Sequence, residues 1–290
     1  MKALLKFILI FTGILLISAV LAPLLHHVLP FKFARIFNRL VMILSLTAVA
    51  VFTRIRKEDF FSSGLLGRPD GFYLFGVSFA AGFLVLMILM TIKVAAGMAI
   101  WKLTDGGWSV WAISIVRLFF TALLIAVIEE IFFRAFVFSK LRKAFGGVLL
   151  SIVVTSAFYS IMHFVSDRKP FIGPDPGFSD SLLLIKAPLE SLLNWQSYWN
   201  EAAGLFIFGV VLNLLYLRTR SLYSCMGLHA GCVFFVKLDG LFADSLNSGN
   251  LFWGTSKMYD GAAGWLFLFS LLFFLNFFLG RENENKKITD

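Results

Sequence analysis

The sequence predicts an all-α, polytopic transmembrane helix bundle of about eight spans, with a core bundle that carries a small polar cluster. Hydrophobic residues make up 59% of the 290 residues and charged residues only 15%, against roughly 25% charged residues in soluble domains. Apolar runs of about 18 or more residues recur along the chain, and each is long enough to cross roughly 30 Å of hydrocarbon. The runs are continuous rather than alternating with a period of two, which favours helices over a β-barrel.

The first run follows Lys2 and Lys6 and extends from Leu4 to Leu25. It is longer than the apolar core of a cleaved signal peptide, which has about 7–15 residues, so we expect this helix to be retained. The predicted spans are residues 4–25, 36–53, 72–93, 112–138, 147–165, 202–217, 222–238 and 262–280.

The net charge of +9 is explained by topology, and no nucleic-acid partner is predicted. Basic residues follow the second, fourth, sixth and eighth spans, which places both termini in the cytoplasm by the positive-inside rule. The longest connection, 166–201, begins with a proline-rich part that is no regular helix and ends with an amphipathic stretch, 180–199, typical of a membrane interface. The predicted divisions are 1–110, a core at 111–240 that includes this insert, and 241–290 with the last helix and a polar tail.

Two adjacent carboxylates, Glu129 and Glu130, lie near the middle of the fourth span, where a charge costs on the order of 3 kcal/mol. Arg134 is four residues after Glu130, so the two share a helix face and can form an ion pair. Glu129 is rotated by about 100° from that face. We therefore expect Arg134 to neutralise Glu130 and Glu129 to act as a general base or acid. The alternative is that both glutamates only join helices together.

Two of the four histidines, His163 and His229, lie inside the fifth and seventh spans. Ionisable residues within spans usually face the bundle interior and mark a functional path. By helical rise, Glu129 and His229 lie near the centres of their spans. His163 lies about 10 Å towards the outer end of its own span, so the three can meet if the helices tilt.

Cys225, His229 and Cys232 share a helical face. Such a set could bind a metal ion, but small residues, here the cysteines with Gly227 and Gly231, also allow close helix packing in membranes. We favour close packing over a metal site. No disulfide framework is predicted either, since the two cysteines lie seven residues apart in one apolar run.

Four sequence motifs on successive apolar helices resemble the CPBP family of intramembrane proteases, which includes the type II CAAX prenyl endopeptidases. They are EEIFFR at 129–134 (an EExxxR motif), YSIMH at 159–163 (FxxxH with Tyr159 for phenylalanine), LYLRTRSL at 215–222 and GLHA at 227–230. The resemblance covers about 112–238, and the first 110 and last 50 residues carry none of it.

The resemblance implies hydrolysis of a peptide bond within the membrane, in a membrane-anchored protein or peptide substrate. Glu129 would activate a water, His163 and His229 would orient that water or stabilise the oxyanion, and Glu130 and Arg134 would support the site. No cofactor is expected; zinc, held by Glu129, His163 and His229, is the alternative. We expect an integral protein of a bacterial inner (cytoplasmic) membrane that contacts the lipid bilayer.

One position departs from the family pattern. The family usually has asparagine four residues after the last histidine, and here that residue is Val233, which has no side-chain donor. Asn213 in the sixth span is a candidate substitute, although a helix–helix hydrogen bond explains it equally well. The departure favours a second hypothesis, a non-catalytic membrane binding or immunity protein that keeps the fold. A third, a proton-coupled carrier, is disfavoured because no inverted repeat is present.

Overall fold

A computed structural model describes residues 2–53, 64–102, 107–167, 170–193, 196, 198–246 and 250–273. Over these residues the fold is helical, as predicted, apart from one short pair of strands. The helices are α1 Lys2–His26, α2 Phe33–Thr53, α3 Gly71–Ala95, α4 Trp108–Glu130, α5 Ser139–Phe145, α6 Val148–Asp167, α7 Phe178–Leu193, α8 Trp199–Thr219, α9 Leu222–Phe242 and α10 Ala262–Phe273. Between α4 and α5 the chain forms a π-helix, Ile131–Phe138.

Five helical segments are long and apolar enough to cross a membrane: Leu9–His26, Gly71–Ala95, Trp108–Phe145, Trp199–Thr219 and Leu222–Phe242. Two further apolar helices, Val148–His163 and Ala262–Phe273, are shorter. These seven coincide with seven of the eight predicted spans and confirm an all-α membrane bundle. The remaining predicted span, 36–53, is helical as α2 but is not among them, and residues 274–280 of the last span lie outside the described residues.

The chain forms two compact units. The first comprises residues 1–56 and 161–199, and therefore contains α1, α2, the end of α6 and α7. Its core joins Ala19 and Ala22 of α1 to three residues of α2 and to Leu184 of α7. Residues 170–177 before α7 form no regular secondary structure, as the prolines there predict.

The second unit comprises residues 57–160 and 200–290 and contains the rest of the helices. Its centre is α9, which packs chiefly against α3 and α4. An added Cβ at Gly227 would lie 2.3 Å from the carbonyl oxygen of Phe75, and one at Gly231 would lie 2.2 Å from that of Phe79. These two glycines therefore let α9 approach the backbone of α3, which confirms the prediction of close packing at small residues.

A two-stranded antiparallel sheet, which the sequence analysis did not predict, closes one end of the second unit. Strand β1, Ala99–Trp101, follows α3, and strand β2, Ala243–Ser245, follows α9. The pairing aligns Ile100 with Asp244, and an exposed ion pair joins Lys102 to Asp244 at 2.8 Å. The strands thus tie together the ends of the two helices that pack most closely.

Candidate active site

The two glutamates are the last residues of α4, and Glu130 lies on the buried face of that helix. Ala122, Ala126 and Glu130 recur every four residues and are all fully buried, so they form one stripe along the helix. The alanines let α9 come close, and the stripe carries Glu130 into the same interface. The π-helix begins at the next residue, and such irregular turns are frequent at functional sites.

Glu130 connects two helices through one carboxylate oxygen. Its Oε1 accepts a hydrogen bond from Arg134 Nη1 at 3.0 Å and lies 2.7 Å from His229 Nδ1. A carboxylate paired with a guanidinium can only accept, so His229 donates through Nδ1. The ion pair between Glu130 and Arg134 is confirmed, whereas the contact of Glu130 with His229 was not predicted.

The other nitrogen of the same ring faces Glu129. His229 Nε2 lies 3.9 Å from Glu129 Oε2, and the Glu129 side chain is 26% exposed while that of His229 is 2% exposed. This distance is too long for a direct hydrogen bond. A water about 2.8 Å from both atoms fits the separation, with the angle at the water close to a right angle. Glu129, His229 and Glu130 therefore form a row, with the imidazole in the middle.

Aromatic rings enclose the imidazole and the guanidinium. The ring of His229 makes edge-on contacts with Phe208 of α8, at 5.4 Å between centroids, and with Tyr159 of α6, at 6.2 Å. The guanidinium carbon of Arg134 lies 5.1 Å from the centroid of Tyr159, which is cation–π range. These rings exclude water from the Glu130 side of the cluster, where the charges compensate one another.

His229 does not lie at the centre of its helix. Because α9 extends from Leu222 to Phe242, His229 is about 10 Å from its beginning and about 20 Å from its end at 1.5 Å per residue. The predicted span ends at residue 238, whereas α9 continues to Phe242. The site lies nearer the end of α9 that follows Arg218 and Arg220.

The two remaining predicted site residues are His163 and Asn213. His163 is partly buried in the last turns of α6 and belongs to the first unit, so its meeting with Glu129 and His229 stays a prediction. Asn213 is fully buried in α8 and donates from Nδ2 to Ser156 Oγ of α6 at 3.1 Å. This is the helix–helix hydrogen bond that the sequence analysis weighed as the alternative role of Asn213.

Val233, one turn after His229, packs against an apolar cluster of Ala122, Phe234 and Leu238. The same cluster includes Phe79 and Phe83 of α3 and Phe119 of α4. Position 233 therefore offers no donor, and its environment is adapted to an apolar residue.

The two buried cysteines have separate structural roles. Cys225 Sγ donates to Leu212 O of α8 at 3.5 Å, and Cys232 Sγ donates to Gly82 O of α3 at 3.8 Å. Within the described ranges, no group of three His, Cys, Asp or Glu side chains is arranged to hold a metal ion. The two hydrogen bonds to backbone carbonyls of neighbouring helices support the prediction that Cys225 and Cys232 are packing residues.

A second buried charge was missed by the sequence analysis. Lys93, near the end of α3, is 1% exposed, and its Nζ donates to Thr255 O at 2.8 Å. Asp260, also fully buried, accepts from the backbone N and the hydroxyl of Thr255. A lysine at the end of an apolar run is ordinarily expected to reach the interface, so its sequence position gave no sign of this role.

Comparison with known families matches residues 110–235 to the family model described as Type II CAAX prenyl endopeptidase Rce1-like. The match contains Glu129, Glu130, Arg134 and His229 and confirms the resemblance to the CPBP family of intramembrane proteases. Comparisons with curated proteins and with solved structures gave no match.

Proposed function

We propose that this chain, whose residues 110–235 match the family model described as Type II CAAX prenyl endopeptidase Rce1-like, is an endopeptidase that hydrolyses a peptide bond of a membrane-associated protein. The observation that carries the proposal is the buried row of Glu129, His229 and Glu130. It combines a carboxylate that is partly open, an imidazole fixed in one tautomer and a second carboxylate that is neutralised. This combination suits the activation of a water molecule.

In the proposed reaction, Glu129 removes a proton from a water held between Glu129 and His229. The water oxygen forms a bond to the scissile carbonyl carbon, and the carbonyl oxygen becomes an oxyanion. As the tetrahedral intermediate collapses, the C–N bond breaks and the proton on Glu129 passes to the leaving nitrogen. His229 orients the water through Nε2, and Glu130 acts on His229 as a positioning residue. His163 assists in the proposed mechanism, as the family resemblance implies.

Charge balance supports Glu129 as the base. With a neutral His229, the two carboxylates and the one guanidinium of Arg134 leave a net charge of −1 in a mostly buried cluster. Protonation of Glu129 during the reaction brings the cluster to neutrality, so burial does not oppose this step. Glu130 is fully buried and paired with Arg134, so it is the weaker candidate.

We propose a metal-free reaction, in which one nitrogen of His229 is engaged by Glu130 and the other faces the water position beside Glu129. We expect cleavage by the purified protein to survive prolonged treatment with a zinc chelator. Restoration of lost activity by added zinc would instead favour the alternative in which Glu129, His163 and His229 are ligands.

The proposed substrates are proteins anchored near the membrane face at the basic end of α9, where the site lies closest to the surface. By the positive-inside rule this face is cytoplasmic. The family description names prenyl endopeptidases, so a prenylated peptide belongs among the candidate substrates. A lipidated peptide and the same peptide with a transmembrane anchor should be compared to determine whether the lipid matters.

Glu129→Gln tests the proposal, with Glu190→Gln as the matched control. Glu190 is exposed and pairs with Lys186 on the surface of α7, so its replacement should leave cleavage unchanged. In detergent with anchored peptides, wild type and Glu190→Gln should release products that Glu129→Gln does not. Equal product formation by Glu129→Gln and wild type would rule out this mechanism.

A non-catalytic binding or immunity protein is the second candidate, favoured by the apolar packing of Val233. In that case the wild type cleaves no anchored peptide, and Glu129→Gln keeps the wild-type phenotype in cells. The two candidates therefore differ in both measurements.

A further inference from the structure

We infer that one end of the second unit carries a binding surface for the headgroups of anionic phospholipids. This basic surface comprises Lys140, Arg142 and Lys143 of α5, Arg218 in the last turn of α8, and Arg220 in the turn between α8 and α9. The inference goes beyond the proposed function and does not depend on it, because it concerns binding at the membrane face and not cleavage.

The two segments that form the basic surface are held side by side by packing within the second unit. The ring of Phe138, which directly precedes α5, packs edge-on against the ring of Tyr216 in α8, with 6.1 Å between centroids. Lys140 follows Phe138 by two residues, and Arg218 follows Tyr216 by two residues. The basic residues of α5 and those of the turn therefore lie at the same end of the unit.

Arg220 has a backbone conformation that rarely carries a side chain. Its φ of 51° lies in the left-handed region, and its N–H donates to Tyr216 O at 2.9 Å. A helix is commonly closed in this way by glycine, since a Cβ is sterically unfavourable there. Gly64 packs directly on the turn, because a Cβ at Gly64 would lie 2.1 Å from Arg220 O. The backbone thus favours glycine at position 220, so the reason for an arginine lies in its side chain.

Helix capping does not account for the two arginines of the turn. A basic side chain near the end of a helix can bind the last carbonyl groups, but Arg68 has this role here, since its Nη1 donates to Thr219 O at 3.2 Å. The charge of Arg68 is balanced by Asp70, at 2.9 Å. The side chains of Arg218 and Arg220 are exposed and make no contact with a carbonyl group among the described hydrogen bonds.

The positive charge of the basic surface is not neutralised within the part of the chain that the structure describes. Four of its five cationic side chains are exposed and that of Arg142 is half-buried, and none of the five takes part in an ion pair of the described residues. The sequence has no acidic residue at 131–166 or at 202–238. Basic groups between helices at a membrane face bind lipid headgroups, and arginine can donate two parallel hydrogen bonds to a phosphate.

The depth of the basic surface favours a lipid over a soluble anion. Arg220 lies between Trp199–Thr219 and Leu222–Phe242, and both helices are long and apolar enough to cross a membrane. A turn that joins two such helices lies at the level of the phosphate groups of one leaflet. The anions that surround the turn at high local concentration are therefore lipid headgroups.

Binding of phosphatidylglycerol to the full chain in detergent, measured by native mass spectrometry, tests the inference, with zwitterionic phosphatidylcholine as the reference lipid. Arg218→Gln combined with Arg220→Gly removes two cations and places glycine where the backbone favours it, so this variant should melt no lower than wild type. We expect it to bind phosphatidylglycerol about 30-fold more weakly, from about 1 kcal/mol for each cation and 1.4 kcal/mol for each factor of ten. Lys32→Gln combined with Arg35→Gln is the matched control. It also removes two exposed cations, but from the first unit, and should bind like wild type.

A second variant tests the other half of the basic surface. Arg142→Gln combined with Lys143→Gln should weaken phosphatidylglycerol binding to a similar extent, and higher salt should weaken binding to wild type. Equal affinity of wild type for the two lipids overturns the inference. So does binding by either basic variant within about three-fold of the control, since two cations should contribute far more. Displacement of the lipid by an equal concentration of inorganic phosphate would identify a site for soluble anions and also overturn it. None of these results depends on cleavage, so the outcome for Glu129→Gln is judged separately.

Discussion

Replacing Arg134 with methionine removes the guanidinium that neutralises Glu130 but keeps an unbranched chain of similar length. Both side chains are 0% exposed and are joined at 3.0 Å, so the substitution leaves a buried carboxylate with His229 as its remaining donor among the described contacts. Breaking a buried ion pair in this way costs about 3–5 kcal/mol. We take the lower value, because helices that separate within a membrane or detergent micelle find other polar partners.

A cost of about 3 kcal/mol corresponds to a fall of about 6–12 °C in the melting temperature of a unit of this size. Thermal unfolding in detergent, followed by tryptophan fluorescence, measures it. Lys143→Met is the control, since Lys143 is exposed on α5 and has no part in the cluster. The double substitution Glu130→Gln with Arg134→Met should recover at least half of the loss, because it removes the stranded charge together with its partner. If Arg134→Met melts within about 2 °C of Lys143→Met, a shift worth under about 1 kcal/mol, the buried pair does not stabilise this fold.

Two further predictions concern packing. Gly231→Ala should lower the melting temperature clearly, because the new methyl would lie 2.2 Å from a backbone oxygen of α3. Gly240→Ala is the control and should leave the melting temperature unchanged, since there is open space around its Cβ. Equal melting temperatures of the two variants would contradict the close approach of α9 and α3. The thiols of Cys225 and Cys232 should react with a maleimide only after unfolding, since both cysteines are buried. Mass spectrometry of the protein labelled before and after denaturation measures this difference. Rapid labelling in the native state would contradict the burial of the two thiols.

The features that could be predicted from the sequence are those that depend on helical periodicity and on spacing within one helix. The apolar runs gave the helices, and the interval of four residues gave the pair of Glu130 and Arg134, because both effects act within one helix. The choice of Glu129 as the more accessible carboxylate followed from the same geometry and agrees with its 26% exposure.

Contacts between helices were harder to predict. Nothing local indicates that His229 Nδ1 meets Glu130 rather than Glu129, because that depends on how α4 and α9 are rotated against each other. The buried Lys93 was missed for the same reason: its partner, Thr255 O, is 162 residues away and is a backbone atom without a sequence signature. The pairing of β1 with β2 likewise joins two three-residue strands too short to give an alternating pattern.

The π-helix at Ile131–Phe138 shifts the helical register between the residues that precede it and those that follow it. Its backbone hydrogen bonds span five residues instead of four. A helical-wheel projection of residues 108–145 with a constant angle per residue therefore assigns the wrong helix face to residues after Glu130. Residues on α5 that such a wheel places beneath the glutamates actually lie on another side of the helix. Variants in this segment should therefore be interpreted with two separate registers, and loss or gain of one residue there would rotate the basic end of the helix while leaving Glu129 and Glu130 in place against α9.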